Sequence, residues 1–272
     1  MNAKVMKSLP GFLVKALVVA ILGFILMPTI VVAISAFDAR EFQAFPPKDL
    51  SIRWFINAFE YRDFRIGLVN SVYVMLWTSS LALLIGVGFS LALHRYEFQY
   101  KRTLETILMS PLIVPHFTVG LGILILLAQA NLPLSYAAVI FCHLVLVLPY
   151  VIRSIYVSLK NLDGRYELAA ASLGASPRRV LFTVTLPLLI PGMVGGWLFA
   201  AILSFNEFTG SLFITNQSTQ TLPVAMYNYV REYADPTLAA IAVVYIVITG
   251  TLLVLANYYL GLGKVLNVEQ TR

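Results

Sequence analysis

Apolar side chains run almost unbroken through six stretches of this chain, residues 14–37, 67–93, 103–130, 135–157, 190–213 and 237–260, and polar residues gather between them. Each stretch exceeds the roughly 20 helical residues needed to cross a hydrocarbon core of about 30 Å. The alternating pattern of barrel strands is absent from them, which leaves helices as the way to satisfy the backbone in lipid. The pattern therefore predicts an all-α integral membrane protein with six transmembrane helices, read as one domain over residues 1–272. Pro111 and Pro115 in the third span and Pro149 in the fourth each remove a backbone donor and predict kinks.

Six crossings put both termini on one side, and charge selects the side. Thirteen Lys and Arg fall with the termini: Lys4, Lys7 and Lys15, then Arg95, Lys101 and Arg102, then the group from Arg153 to Arg179, and finally Lys264 and Arg272. Six fall opposite, among seven acids that include Asp38, Glu60, Asp63 and Asp235. The positive-inside rule then predicts cytoplasmic termini. The same asymmetry accounts for the net charge of +6, so the basic balance does not point to nucleic acid. The first apolar run is longer than the ~7–15 residues of a signal-peptide core, and it is expected to remain as an anchor.

Composition agrees with the pattern: 59% of the residues are hydrophobic, 12% are charged, and the mean hydropathy is +0.83. The single cysteine, Cys142, has no partner for a disulfide, and His94, His116 and His143 lack the spacing of metal ligands. Gly263-Lys264 is followed by Val265, with Tyr258 where a Walker A glycine would stand, so no nucleotide loop of that type is present. No catalytic triad or carboxylate pair falls in register either, and the chain is expected to be neither an enzyme nor a holder of metal or cofactor.

Between spans four and five lies a polar island: the loop of residues 158–189 overlaps the stretch GRYELAAASLGASPRRVLFTVTLPLLIPG, residues 164–192. Tyr166, Ala169, Ala170 and Leu173 recur at helical spacing on one stripe, Asp163 is placed to cap that helix, and Gly174 can end it in a left-handed conformation. Ser176 and Pro177 suit the N-cap and first position of a second helix, and Pro187 and Pro191 mark the return into the membrane. The small residues leave room for another protein to approach; a helix lying on the membrane surface is the plainer alternative.

These residues resemble the EAA loop of binding-protein-dependent ABC transporter permeases, in which Glu-Ala-Ala is followed after three residues by Gly and nine residues later by Ile-x-Leu-Pro. Ala169, Ala170, Gly174, Val184, Leu186 and Pro187 match; Leu168 stands at the motif glutamate, with Glu167 just before it. The likeness extends to HRYEF, SPLIVP, SFNEF and the segment TQTLPVAMYNYVREYADPTLAA, and it is greatest to the spermidine/putrescine type, its second permease subunit. It implies a complex of two permeases, two ATPase subunits that carry ATP and magnesium, and an external solute-binding protein, in a bacterial inner membrane. It also implies that the island, with Tyr166, Glu167, Ala169, Ala170, Gly174, Leu186 and Pro187, is the coupling helix that docks on the ATPase.

One acid, Glu207, falls deep in a span, about 25 Å along the fifth at 1.5 Å per residue. With Asn206 and Ser204 it is a candidate to receive an ammonium group on the solute path, or to form a structural ion pair. Gln129 and His116 on span three are further polar candidates. In the outer loop, Ser51 can cap a short helix whose stripe of Trp54, Phe55, Ala58 and Phe59 suits the headgroup region or an external partner. A self-sufficient secondary transporter or channel would need more buried charge and an inverted repeat. The leading expectation is thus an importer permease for a small cationic, polyamine-like solute.

Overall fold

The computed structural model describes residues 11–41 and 46–260. Lys4, Lys7, Lys264 and Arg272, four of the cations counted with the termini, lie outside them. No β-strand forms among the described residues; the one extended pairing is an isolated bridge between Asp38 and Leu50.

The helices in chain order are α1 (Gly11–Ser35), α2 (Arg53–Glu60), α3 (Arg62–Arg95), α4 (Lys101–Met109), α5 (His116–Gln129), α6 (Tyr136–Lys160), α7 (Arg165–Ser172), α8 (Pro177–Val180), α9 (Leu186–Phe205), α10 (Ser211–Ile214), α11 (Leu222–Glu232) and α12 (Thr237–Leu260). Among the described residues five helices are long and apolar enough to cross a membrane: Phe12–Ser35, Arg62–Arg95, Tyr136–Lys160, Pro177–Phe205 and Thr237–Tyr258.

Two of the expected spans need correction. The third is not one rod: Lys101–Leu112 and His116–Gln129 meet at 104°, so it counts as a crossing only if the bent pair is taken together. Pro111 lies in the 3-10 turn Ser110–Leu112 and Pro115 caps α5, so the two prolines that predicted a kink bracket a break. The fifth span starts thirteen residues earlier than the hydropathy suggests, at Pro177, and its helix stops at Phe205 rather than residue 213. Glu207 therefore sits in the turn beyond the helix.

The chain divides into two compact units, Met1–Tyr61 with Asn228–Ile246, and Arg62–Tyr227 with Val247–Arg272. In the first, the Ser51 hydroxyl accepts from the Arg53 N–H at 3.1 Å, but Ile52 and not Ser51 takes the cap position of α2, so the expected cap is displaced by one residue. Trp54 and Ala58 are buried, and the Trp54 indole donates to the Asp38 carbonyl at 2.7 Å, so half of the aromatic stripe packs inward while Phe59 stays exposed. The buried Asp38 carboxylate is matched by the Arg40 guanidinium at 2.6 Å. Helix α1 is exposed on almost every face.

In the second unit α3, α6 and α9 pack together around Ala82, Val147, Val151, Ile155, Leu159, Leu189 and Ala200. Lipid is as apolar as a leucine, so close backbone approach at small residues and interhelical hydrogen bonds must hold such helices. A Cβ at Gly86 would meet Val151 Cγ1 at 2.8 Å, and one at Gly192 would meet Ser158 Oγ at 2.0 Å. Ser90 donates to the Ile152 carbonyl at 3.0 Å and Ser154 to the Gly192 carbonyl at 3.2 Å, joining α3 to α6 and α6 to α9. At one end of α3, Asn70 donates to the Ser218 and Gln220 carbonyls at 2.9 Å each and accepts from the Tyr136 hydroxyl at 2.7 Å.

Gly86→Val is expected to push α3 from α6 and cost about 1–3 kcal/mol, whereas Gly88→Val, where nothing lies within 4 Å, should not. Thermal unfolding of the detergent-solubilised protein compares them. Equal melting temperatures would show that the close approach at Gly86 is not what holds the pair.

Candidate functional site

The polar island folds as two short helices around a tight turn. Asp163 accepts from the Arg165 backbone N–H at 3.0 Å, one position earlier than an ideal cap, while Gly164 takes the cap position. The Arg165 guanidinium and that N–H hold the Asp163 carboxyl below the usual carboxylate range. Gly174 has φ of +81°, the left-handed conformation that a branched residue resists. The Ser176 hydroxyl accepts from the Arg179 N–H at 3.4 Å, and Pro177 follows as the first helical residue.

Beyond α8 the chain passes through one π-helical segment, Leu181–Thr185, into α9. Pro187 has no N–H for the carbonyl four residues back, and the Leu186 N–H bonds five residues back to Leu181, so the extra residue keeps the helix running across the proline.

Tyr166, Leu168, Ala169 and Leu173 are exposed, whereas Glu167 and Ala170 are half-buried. The Arg95 guanidinium, at the end of α3, reaches Glu167 Oε1 at 2.5 Å and the Thr185 hydroxyl at 2.9 Å. The buried Thr185 hydroxyl in turn donates to Glu167 Oε1. Three residues distant in sequence thus clasp α7 to α3 and to the π segment. Leu168, at the position where the resembling loops place an acid, carries its side chain outward, and Leu186 and Pro187 lie on the returning helix.

The second cluster lies at the far end of α9. A cavity of about 250 Å³ is lined by residues that include His116, His143, Tyr150, Asn206 and Glu207. The Glu207 carboxylate is 8% exposed; Oε1 accepts from the Gly210 N–H at 2.6 Å and Oε2 meets His116 Nδ1 at 2.7 Å. Glycine is required where α5 crosses this turn, because a Cβ at Gly120 would lie 2.6 Å from the Gly210 carbonyl oxygen.

His143, fully buried on α6, contacts the Ser204 hydroxyl through Nδ1 at 2.9 Å and the Ser211 hydroxyl through Nε2 at 2.7 Å. Ser211 donates to the Glu207 carbonyl at 3.1 Å, so it accepts from Nε2–H, and Nδ1 accepts from Ser204. Both nitrogens are then satisfied by a neutral ring.

Of the sequence candidates, Glu207, Asn206 and His116 share the cavity wall. Ser204 supports it through His143 rather than lining it, and Gln129 lies away from it. Sequence reasoning passed over His143, Arg95 and Thr185. A buried polar residue in an apolar run was the available signal for His143; Arg95 and Thr185 are joined by a contact across 90 positions, which no local pattern encodes. Among the described residues no cluster of His, Cys, Asp or Glu is arranged to hold a metal. A wider groove of about 920 Å³ opens beside Arg62, Arg65, Asn70 and Tyr136.

Residues 82–261 match the family described as binding-protein-dependent transport system inner membrane component. The chain is 26% identical over 246 residues to the spermidine/putrescine transport system permease protein PotC of Haemophilus influenzae, covering 90% of this chain and 95% of that protein. It is 30% identical over 228 residues to PhnV of Salmonella paratyphi A, provisionally named a 2-aminoethylphosphonate transport system permease protein, covering 83% and 85%. Among solved structures it resembles a bacterial ABC transporter involved in the import of the acidic polysaccharide alginate, with a TM-score of 0.71, 15% identity, and coverage of 92% of this chain and 95% of that one.

Arg95→Ala is expected to release α7, since it strips Glu167 and the buried Thr185 of their common donor. For a pair this exposed the loss is about 1 kcal/mol, and it should appear as roughly fivefold faster amide exchange across Arg165–Ser172. Unchanged exchange there would mean that the clasp does not hold the helix.

Proposed function

The chain belongs to the binding-protein-dependent transport system inner membrane components, as the permease subunit of an ATP-binding-cassette importer, and we propose that it carries a small amine-bearing, polyamine-like cation inward. The observation that carries the amine is Glu207, a buried carboxylate on the wall of a cavity in a fold otherwise poor in internal acids. The named solutes of the two relatives support it: spermidine, putrescine and 2-aminoethylphosphonate all bear a primary amine.

In this proposal both termini face the cytoplasm, where the positive-inside rule puts the richer set of cations. The whole chain acts as one translocation domain, in contact with lipid and not with nucleic acid. It pairs with a second permease, different in sequence, so that the solute path lies between two subunits. Two ATPase subunits bind ATP and magnesium on the cytoplasmic side, and an external binding protein delivers the solute.

Helix α7 is the coupling helix. Its outward stripe of Tyr166, Ala169 and Leu173, with Leu168 beside it, is uncovered within this chain and small enough at its centre for a cleft of the ATPase to close on. Arg95, Glu167 and Thr185 fasten that handle to two membrane helices, so movement of the ATPase is delivered to the bundle rather than absorbed by a loop. Closure of the ATPase pair then alternates the access of the cavity beside Glu207.

Two substitutions test the two ends. Gly174→Val forces a branched residue into a left-handed turn and should uncouple the complex: uptake falls tenfold or more while the complex still assembles. Full uptake with normal solute-stimulated ATP hydrolysis would remove the island from the coupling role. Glu207→Gln keeps the side chain's shape and removes its charge. Uptake should drop severalfold with the purified yield intact. A collapse in yield with proportionate loss of uptake would instead identify Glu207 as a structural partner of His116.

A further inference from the structure

Glu207 does not stand in the cavity as a bare carboxylate. His116 Nδ1 lies 2.7 Å from its Oε2, and the histidine side chain is 40% exposed whereas the acid is 8% exposed. The imidazole is thus the more accessible member of the pair. We infer that His116 is a resident counter-charge, and that a proton on it and an ammonium group of the solute compete for the field of Glu207.

The geometry sets the terms of the competition. Oε1 is committed to the Gly210 N–H at 2.6 Å and Oε2 to His116, which leaves about two of the four lone-pair sites of a carboxylate for an incoming N–H. A neutral His116 can keep its bond through Nδ1–H and leave the negative charge of Glu207 uncompensated. A protonated His116 cancels that charge. At a contact of this length, the difference decides whether the cavity attracts an incoming cation or is indifferent to it.

The remaining groups around the pair do not take over this role. His143, on α6, is fully buried with both ring nitrogens on serine hydroxyls. Cys142, on the same helix, is buried, and Tyr150 lines the wall. Among the described residues no Lys, Arg or Asp lines the cavity, and Glu207 and His116 are the two charge-bearing positions there that are open to the solute. His116 is also the first residue of α5, directly after the break at Pro115. Its charge therefore bears on the bent arm of the third span as well as on the cavity.

The sign follows from linkage. With a proton on His116 the pair is neutral and a cation must displace that proton, so the apparent KM rises by up to tenfold per pH unit as pH falls. With His116 neutral the carboxylate charge is uncompensated and KM becomes independent of this group.

This inference rests on the proposal that the cavity beside Glu207 passes an amine, and the experiment separates the two. Putrescine uptake is measured between pH 5.5 and 8 in proteoliposomes containing the full complex and its binding protein, for the wild type, His116→Asn and Glu207→Gln. The asparagine keeps a donor toward Glu207 but does not titrate. The expected result is a KM that climbs at least fivefold toward acid in the wild type and stays flat in His116→Asn, after the profile common to all variants is divided out. Coincident profiles for the wild type and His116→Asn, with uptake still reduced in Glu207→Gln, overturn the competition and leave the amine path standing. Wild-type uptake that Glu207→Gln leaves untouched, or no putrescine uptake at any pH, overturns both.

Discussion

Within a membrane, apolar side chains gain little by leaving lipid for one another, and this constraint decides what holds the chain together. Helices α3, α6 and α9 adhere where Gly86, Gly192 and Gly196 let backbones approach and where Ser90 and Ser154 bond across the gap. Backbone groups that are not helical must be covered by protein. The turn from Asn206 to Gly210 obeys that rule: the Glu207 carbonyl accepts from Ser211, the Gly210 N–H donates to Glu207 Oε1, and α5 covers the turn where Gly120 lies close to Gly210. The cavity exists because the turn is held this way.

Charge is used sparingly, and its two main deployments in the second unit lie at opposite ends of the helix running from Pro177 to Phe205. At one end Arg95 joins Glu167 and Thr185 across three elements; at the other His116 meets Glu207 beside a cavity. The first pair has a guanidinium that stays charged at any physiological pH, which suits a permanent fastening. The second has an imidazole, a ring that can meet the carboxylate either as a neutral or as a charged donor.

Much of this was readable from the sequence. The apolar runs gave the long helices, because lipid imposes a length and a composition that local reading detects directly. Gly174, Ser176 and Pro177 announced the turn, since each answers a backbone requirement of its own position. The third span misled because hydropathy registers apolar length and is blind to direction: SPLIVP is as greasy as a straight helix, yet its two prolines turn the chain by 104°. The end of the fifth span misled in the same way, for FNEFTGSLFI continues the apolar run after the helix has stopped. Glu207 was found by its charge, and its partner by chemistry class alone; the pairing itself depends on the break in the third span. Arg95 and Thr185 could not be joined without the fold.

The π segment at Leu181–Thr185 lets one continuous rod of 29 residues run from the turn at Ser176 to the threshold of the cavity. At 1.5 Å per residue that rod is about 43 Å long. A stiff beam of that length is a lever: a tilt of only about 10° about one end displaces the other by roughly 7 Å, more than a full helical turn. Had Pro187 broken the helix, a tilt at one end would have been spent in bending a hinge. A single extra residue in five thus keeps the turn at Ser176 and the threshold of the cavity on one rod.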